Sequence, residues 1–150
     1  MMQRFRKLFM AVSLVLLLSM ALTGLASADV IRGKGWLHAE GSGVAILKMS
    51  GQIEIVSHGT GAVYIYGAET IHAEGDGKRS NLRGGGVVFR GYEGVIKATG
   101  ARMRVKIIGK EIEFTARGKG TIFLRGRGHY ESEGLAGDWV NSGLNVEVEE

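Results

Sequence analysis

From residue 29 onward, apolar and polar residues alternate with period two, the pattern of a strand with one buried face. Arg102-Met103-Arg104-Val105-Lys106-Ile107 and Glu111-Ile112-Glu113-Phe114-Thr115-Ala116 are the clearest stretches. Glycine breaks the alternation about every eight or nine residues, at Gly51, Gly59, Gly67 and Gly75 and again at Gly91, Gly100, Gly109, Gly118 and Gly126. Gly-x-Gly recurs at 33/35, 41/43, 59/61, 75/77, 84/86, 118/120 and 126/128. A strand of five or six residues followed by a three-residue turn has this spacing. The pattern predicts an all-β fold, an antiparallel meander of about 10–12 short glycine-punctuated strands. Closure as a sandwich or barrel is expected, with a β-solenoid as the alternative.

Specific registers follow if the glycines make hairpins. A turn at Gly109-Lys110 sets Ile107 against Ile112, Val105 against Phe114 and Met103 against Ala116. Gly41-Ser42-Gly43 sets Ala39 against Ala45 and Leu37 against Leu47. Gly67-Ala68-Glu69 sets Ile65 against Ile71, and Gly118-Lys119-Gly120 sets Ala116 against Ile122 and Phe114 against Leu124. Each register joins apolar to apolar, as cross-strand pairing favours. The polar stretch 76–86 is expected as the longest loop, dividing the domain into halves. Short modules also repeat. Arg32-Gly33-Lys34-Gly35 matches Arg117-Gly118-Lys119-Gly120, and Leu37-His38-Ala39-Glu40-Gly41 is similar to Ile71-His72-Ala73-Glu74-Gly75.

The N-terminus follows a different rule. Arg4, Arg6 and Lys7 precede a mostly apolar run from Leu8 to Leu22, and Ala26-Ser27-Ala28 has the small-x-small form of a cleavage site. Residues 1–28 are therefore expected to be a cleavable signal peptide, with residues 29–150 as a single all-β domain. The expected location is secreted, periplasmic or cell-surface. The apolar run falls short of the ~20 residues of a membrane span. No transmembrane segment is expected after signal cleavage. The chain has no cysteine and no proline but 25 glycines, so disulfides contribute nothing and glycine must supply the sharp bends.

Charge is uneven. The whole chain is formally +4, and losing Arg4, Arg6 and Lys7 leaves the rest near neutral. Net charge therefore makes no case for nucleic acid as a partner. Residues 78–127 nevertheless carry thirteen Lys or Arg against three Glu, whereas residues 128–150 carry Glu131, Glu133, Asp138, Glu147, Glu149 and Glu150 with no cation.

Arg102, Arg104, Lys106 and Arg117 alternate outward in the basic block and are candidate binding residues for an anionic partner. The hairpin register brings Glu113 beside Lys106 and Arg125, with Glu131 and Glu133 on the next strand, which predicts partial self-neutralisation. The same register aligns His38, Ile46, Val56, Tyr64 and His72 in one outward row beside Trp36, Lys48, Glu54, Tyr66 and Thr70. Trp36, Tyr64 and Tyr66 are therefore further candidates, as aromatic rows on flat sheets suit carbohydrate or protein contacts. Packing against the other half of the domain is the competing explanation.

Enzyme signatures are thin. His38/Glu40, His72/Glu74 and His129/Glu131 share a strand face pair by pair, as weak metal sites would, but they point outward and lack a third ligand. Ser, His and Asp occur without a nucleophile-elbow context. The Gly-x-Gly elements do not lead into helices and so make no phosphate cradle. No catalytic residue, metal or cofactor is expected.

The glycine rhythm resembles adhesin and solenoid domains of bacterial surfaces. The stretch from Gly86-Val87-Val88-Phe89 to Arg102-Met103-Arg104-Val105 resembles the periplasmic β-jellyroll bridge of lipopolysaccharide transport. These are resemblances of pattern, and no residue roles are carried over. The leader, the strand-only pattern and the missing catalytic context lead to the expectation of a non-enzymatic extracytoplasmic binding or cell-surface structural domain, adhesin-like in pattern. The alternatives are a periplasmic carrier of anionic amphiphiles, as the second resemblance implies, and a weak metal-binding protein or enzyme using the His-x-Glu pairs. The expected partner is an anionic envelope component or a second copy of the chain.

Overall fold

The computed structural model describes residues 30–150. The expected signal peptide, residues 1–28, lies outside them. The described residues form seven strands and no helix: β1 (Ile31–Lys34), β2 (Trp36–His58), β3 (Ala62–Tyr66), β4 (Thr70–Asn81), β5 (Val87–Ser132), β6 (Leu135–Asp138) and β7 (Leu144–Glu149). The fold is all-β, with a curled and mainly antiparallel sheet consistent with a sandwich or barrel.

One long hairpin organises the chain. Its tip is residues 82–86, closed by the Leu82 N–H donating to the Gly86 carbonyl at 2.7 Å. Its arms stay paired from Asn81↔Val87 through Gly75↔Gly94, Val63↔Ile107, Ile55↔Phe114 and Leu47↔Ile122 to Ala39↔Tyr130. First-arm residues also have a second partner, 16 to 18 positions earlier in β5. For Ile55 it is Ile96, for Leu47 Val105, and for Ala39 Phe114.

This double pairing forces a coil. Phe114 lies between Ala39 and Ile55. Those two residues are therefore only two strand spacings apart, about 9.6 Å, whereas 16 extended residues would span about 53 Å. The chain must complete a full turn between them, so the ribbon winds on itself. Successive half-turns form two opposed walls. One holds segments 36–41, 52–58, 70–76, 93–99, 112–117 and 128–132. The other holds 44–49, 62–66, 78–81, 87–90, 103–108 and 120–125.

Glycine makes the bends between walls. Gly51 pairs with Gly118 on one side and Gly100 on the other, at the boundary between two half-turns. Its φ is 134° and that of Gly118 is 123°, a region closed to ordinary side chains. A Cβ on Gly51 would fall on the Arg117 carbonyl oxygen. The expected local hairpins are replaced by these bends. Ile107 faces Ala45 and Val63 rather than Ile112, and Ile112 faces Gly41 and Ser57. Ala39 and Ala45 likewise lie on one continuous strand, as do Ala116 and Ile122. A glycine bend redirects a strand without reversing it, and eight-residue spacing fits a half-turn as well as a hairpin. The stretch 76–86 is strand as far as Asn81, and only residues 82–86 reverse the chain.

Facing inward or outward does not depend on which strands pair, and here the expectation holds. Leu37, Ala39, Ala45, Leu47, Val105, Ile107, Phe114 and Leu124 are all buried in one core. Phe89 and Tyr92 meet edge to face in it, with ring centroids 5.1 Å apart. Each fully buried Leu, Ile or Phe contributes about 1.5–3 kcal/mol through the water it excludes. The acidic C-terminal segment belongs to the sheet. β7 pairs with β5 along Gly120–Leu124 and in parallel with β1, and it buries Val146 and Val148. Glu147 meets Arg32 at 3.6 Å. The acidic end is therefore held in the sheet rather than free.

Candidate functional site

Residues alternate in and out while segments alternate between walls, so outward side chains sort by wall. On the wall built from 44–49, 62–66 and 103–108, Tyr66 pairs with Arg104, Tyr64 with Lys106, Ile46 with Lys106 and Lys48 with Arg104. Facing pairs of this kind hold their Cβ atoms about 5 Å apart. Together Ile46, Lys48, Tyr64, Tyr66, Arg104 and Lys106 line an open hollow of about 540 Å³. The Arg90 guanidinium stands 5.7 Å from the Tyr64 ring centroid. Arg102 lines an adjoining hollow with Arg104, Lys48 and Met49. Tyr66 is 37% exposed.

Lys48, Arg104 and Lys106 of this wall are in no ion pair among the described residues. Among the described residues the only Lys or Arg in ion pairs are Arg32, with Glu147, and Lys97, with Glu54 at 3.4 Å. The expected neutralisation by Glu113 does not occur, because Glu113 lies on the opposite wall between Glu40 and Val56. Glu131 is there too, facing His38.

The opposite wall carries most of the carboxylates and all four histidines, with Lys97 and Arg117 among them, whereas Glu147 and Glu149 of β7 lie beside segment 120–125. His58 Nε2 lies 3.3 Å from Glu113 Oε2, His72 Nε2 2.8 Å from Glu74 Oε1, and His129 Nδ1 3.2 Å from Asp138 Oδ1. His38 Nδ1 meets the Thr115 hydroxyl at 2.9 Å. The hydrogen bond and charge of His72 hold the Glu74 carboxyl below its ordinary range. A hollow of about 580 Å³ on this wall is lined by Glu40, Ser42, His58, Glu113, His129 and Asp138, among others. Of the three His-x-Glu pairs only His72/Glu74 closes on itself. No cluster of three or more His, Cys, Asp or Glu fit to hold a metal occurs among the described residues.

Comparison with protein-family models, curated proteins and solved structures finds no match for this chain.

The candidate residues thus divide. Arg104, Lys106, Tyr64 and Tyr66 come together on one wall, with Arg102 beside them. Trp36 and Arg117 pair with each other on the opposite wall, where Arg117 also faces Gln52. The supposed single row is likewise two, His38, Val56 and His72 on one wall and Ile46 and Tyr64 on the other. Ile46 and Lys48 belong to the basic hollow but are not among the candidates read from sequence. A period of 16, one turn of the coil, would have found Lys48, which precedes Tyr64 by that interval.

Proposed function

We propose that this protein is a non-enzymatic, adhesin-like binding domain of the cell surface or periplasm, and that its basic wall holds an anionic component of the envelope. The observation that carries the reading is the hollow itself. Lys48, Arg104 and Lys106 surround Ile46, Tyr64 and Tyr66, and none of the three cations is in an ion pair among the described residues. Uncompensated cations on neighbouring strands concentrate polyanions. The tyrosine faces add apolar area against which a sugar ring can stack, with their hydroxyls in water. Export rests on the leader expected at residues 1–28. The filled interior favours capture on the outer wall over carriage of an amphiphile within.

The test is direct binding of the protein to poly(glycerol phosphate) and to uncharged dextran by isothermal titration calorimetry. Binding of the phosphate polymer alone, weakening steeply between low and high salt, is expected. Equal binding of both polymers, or binding indifferent to salt, contradicts the reading.

A further inference from the structure

We propose that copies of this protein stack head to tail, the basic wall of one seated on the histidine–carboxylate wall of the next. The two walls are opposite sides of one coiled ribbon and carry opposite charge. One presents Lys48, Arg90, Arg104, Lys106 and Arg125, with Glu147 and Glu149 of β7 at one side. The other presents Glu40, Glu54, Glu74, Glu93, Glu113 and Glu131 against Lys97 and Arg117. Each wall also has an apolar centre. Phe123, Ile46 and Tyr64 lie along one row of the basic wall, and Val56 pairs with Val95 on the other. Apolar centres ringed by charge match the usual anatomy of a protein interface.

Size fits as well. Six strands about 4.8 Å apart, each with about six residues rising 3.3 Å, present about 600 Å² per wall. Standard interfaces bury about 800 Å² per partner, so each contact is modest and depends on concentration. A surface that meets a different surface on the next copy is heterologous. When the two lie on opposite sides of the molecule the contact does not close into a dimer but propagates. The occupant is therefore a second copy, and the assembly is a linear stack. The inference goes beyond polymer binding, although both use the basic wall, so an anionic polymer competes with stacking.

The experiment is sedimentation velocity without added polymer, at low and high salt, on the wild type and two charge-reversed variants. Glu40→Lys with Glu113→Lys places two cations on neighbouring strands of the carboxylate wall. Arg104→Glu with Lys106→Glu places two anions in the basic hollow. The wild type should form a concentration-dependent series of oligomers at low salt that dissolves near 1 M salt, where screening falls to about 3 Å. Each variant alone should sediment as a monomer, and an equimolar mixture should associate again. Recovery in the mixture also demonstrates that both variants are folded. Circular dichroism of each serves the same end if the mixture stays monomeric. A wild type that remains monomeric at millimolar concentration and low salt overturns the proposal. So do folded variants that assemble alone as the wild type does, or that fail to associate when mixed. The acid-wall variant should keep its affinity for poly(glycerol phosphate), so failure of stacking and failure of polymer binding are read separately.

Discussion

Gly51 and Gly118 face each other across the two arms of the ribbon, and neither position has room for a side chain. A Cβ on Gly51 meets the Arg117 carbonyl, and one on Gly118 meets that of Ser50. Both backbones also sit at positive φ. Gly51→Ala should therefore cost about 1–3 kcal/mol from backbone strain alone, and more from the clash. Gly109→Ala is the control. Its φ is not positive, and the nearest atom to a new Cβ is 3.4 Å away. It should stay within about 1 kcal/mol of the wild type. Urea denaturation of both variants checks this, and equal losses would mean that the bend at Gly51 is misread.

Burial fixes a second contrast. Phe114 is fully buried between the inward residues Ala39 and Ile55, whereas Arg104 is exposed on the basic wall. Phe114→Ala should cost about 3–5 kcal/mol. Arg104→Ala should change stability by about 0.5 kcal/mol or less. The reverse order would invert the two faces of the strand.

Which residues face inward was legible in the sequence, because period-two alternation does not depend on which strands pair. Val105, Ile107, Phe114 and Ala116 are buried whether Gly109 makes a hairpin or not. Which strands pair was not legible. Glycine every eight or nine residues fits a reversal and a half-turn equally, and the choice rests on contacts 16 to 18 residues apart. The candidate site inherits that ambiguity. Arg104 and Arg117 both look like outward cations of one basic block, yet the coil sends them to opposite walls. The same winding removes Glu113 from Lys106, and Lys48, Arg104 and Lys106 are left in no ion pair among the described residues. No local pattern announces either outcome.

The acidic C-terminus can be tested by removal. β7 lies between β1 and β5, buries Val146 and Val148, and accepts the Gly35 N–H on the Glu149 carbonyl at 2.6 Å. Deleting residues 144–150 should lower the melting temperature by ten degrees or more, since two buried valines alone are worth about 3–6 kcal/mol. An unchanged melting temperature would show the strand to be an appendage.

His72 and Glu74 supply a titration. The native Glu74 carboxyl is held low by the imidazole 2.8 Å away. Stabilisation from a depressed carboxyl is present above the ordinary carboxylate range and fades as pH falls through the lowered value. His72→Ala should move the Glu74 titration upward, as read by carboxyl NMR, while stability barely changes because both side chains are exposed. An unmoved titration would mean that the contact does not form in solution.

The most direct measurement compares Arg104→Glu with Arg117→Glu in binding to poly(glycerol phosphate). The two substitutions change charge equally, both at exposed strand positions of the basic block. They lie on opposite walls. Arg104→Glu should weaken binding about tenfold or more, at least 1.4 kcal/mol, while Arg117→Glu should leave it within about twofold. Equal losses would mean that net charge, not the basic wall, governs binding, and no loss in either would contradict the assignment of that wall.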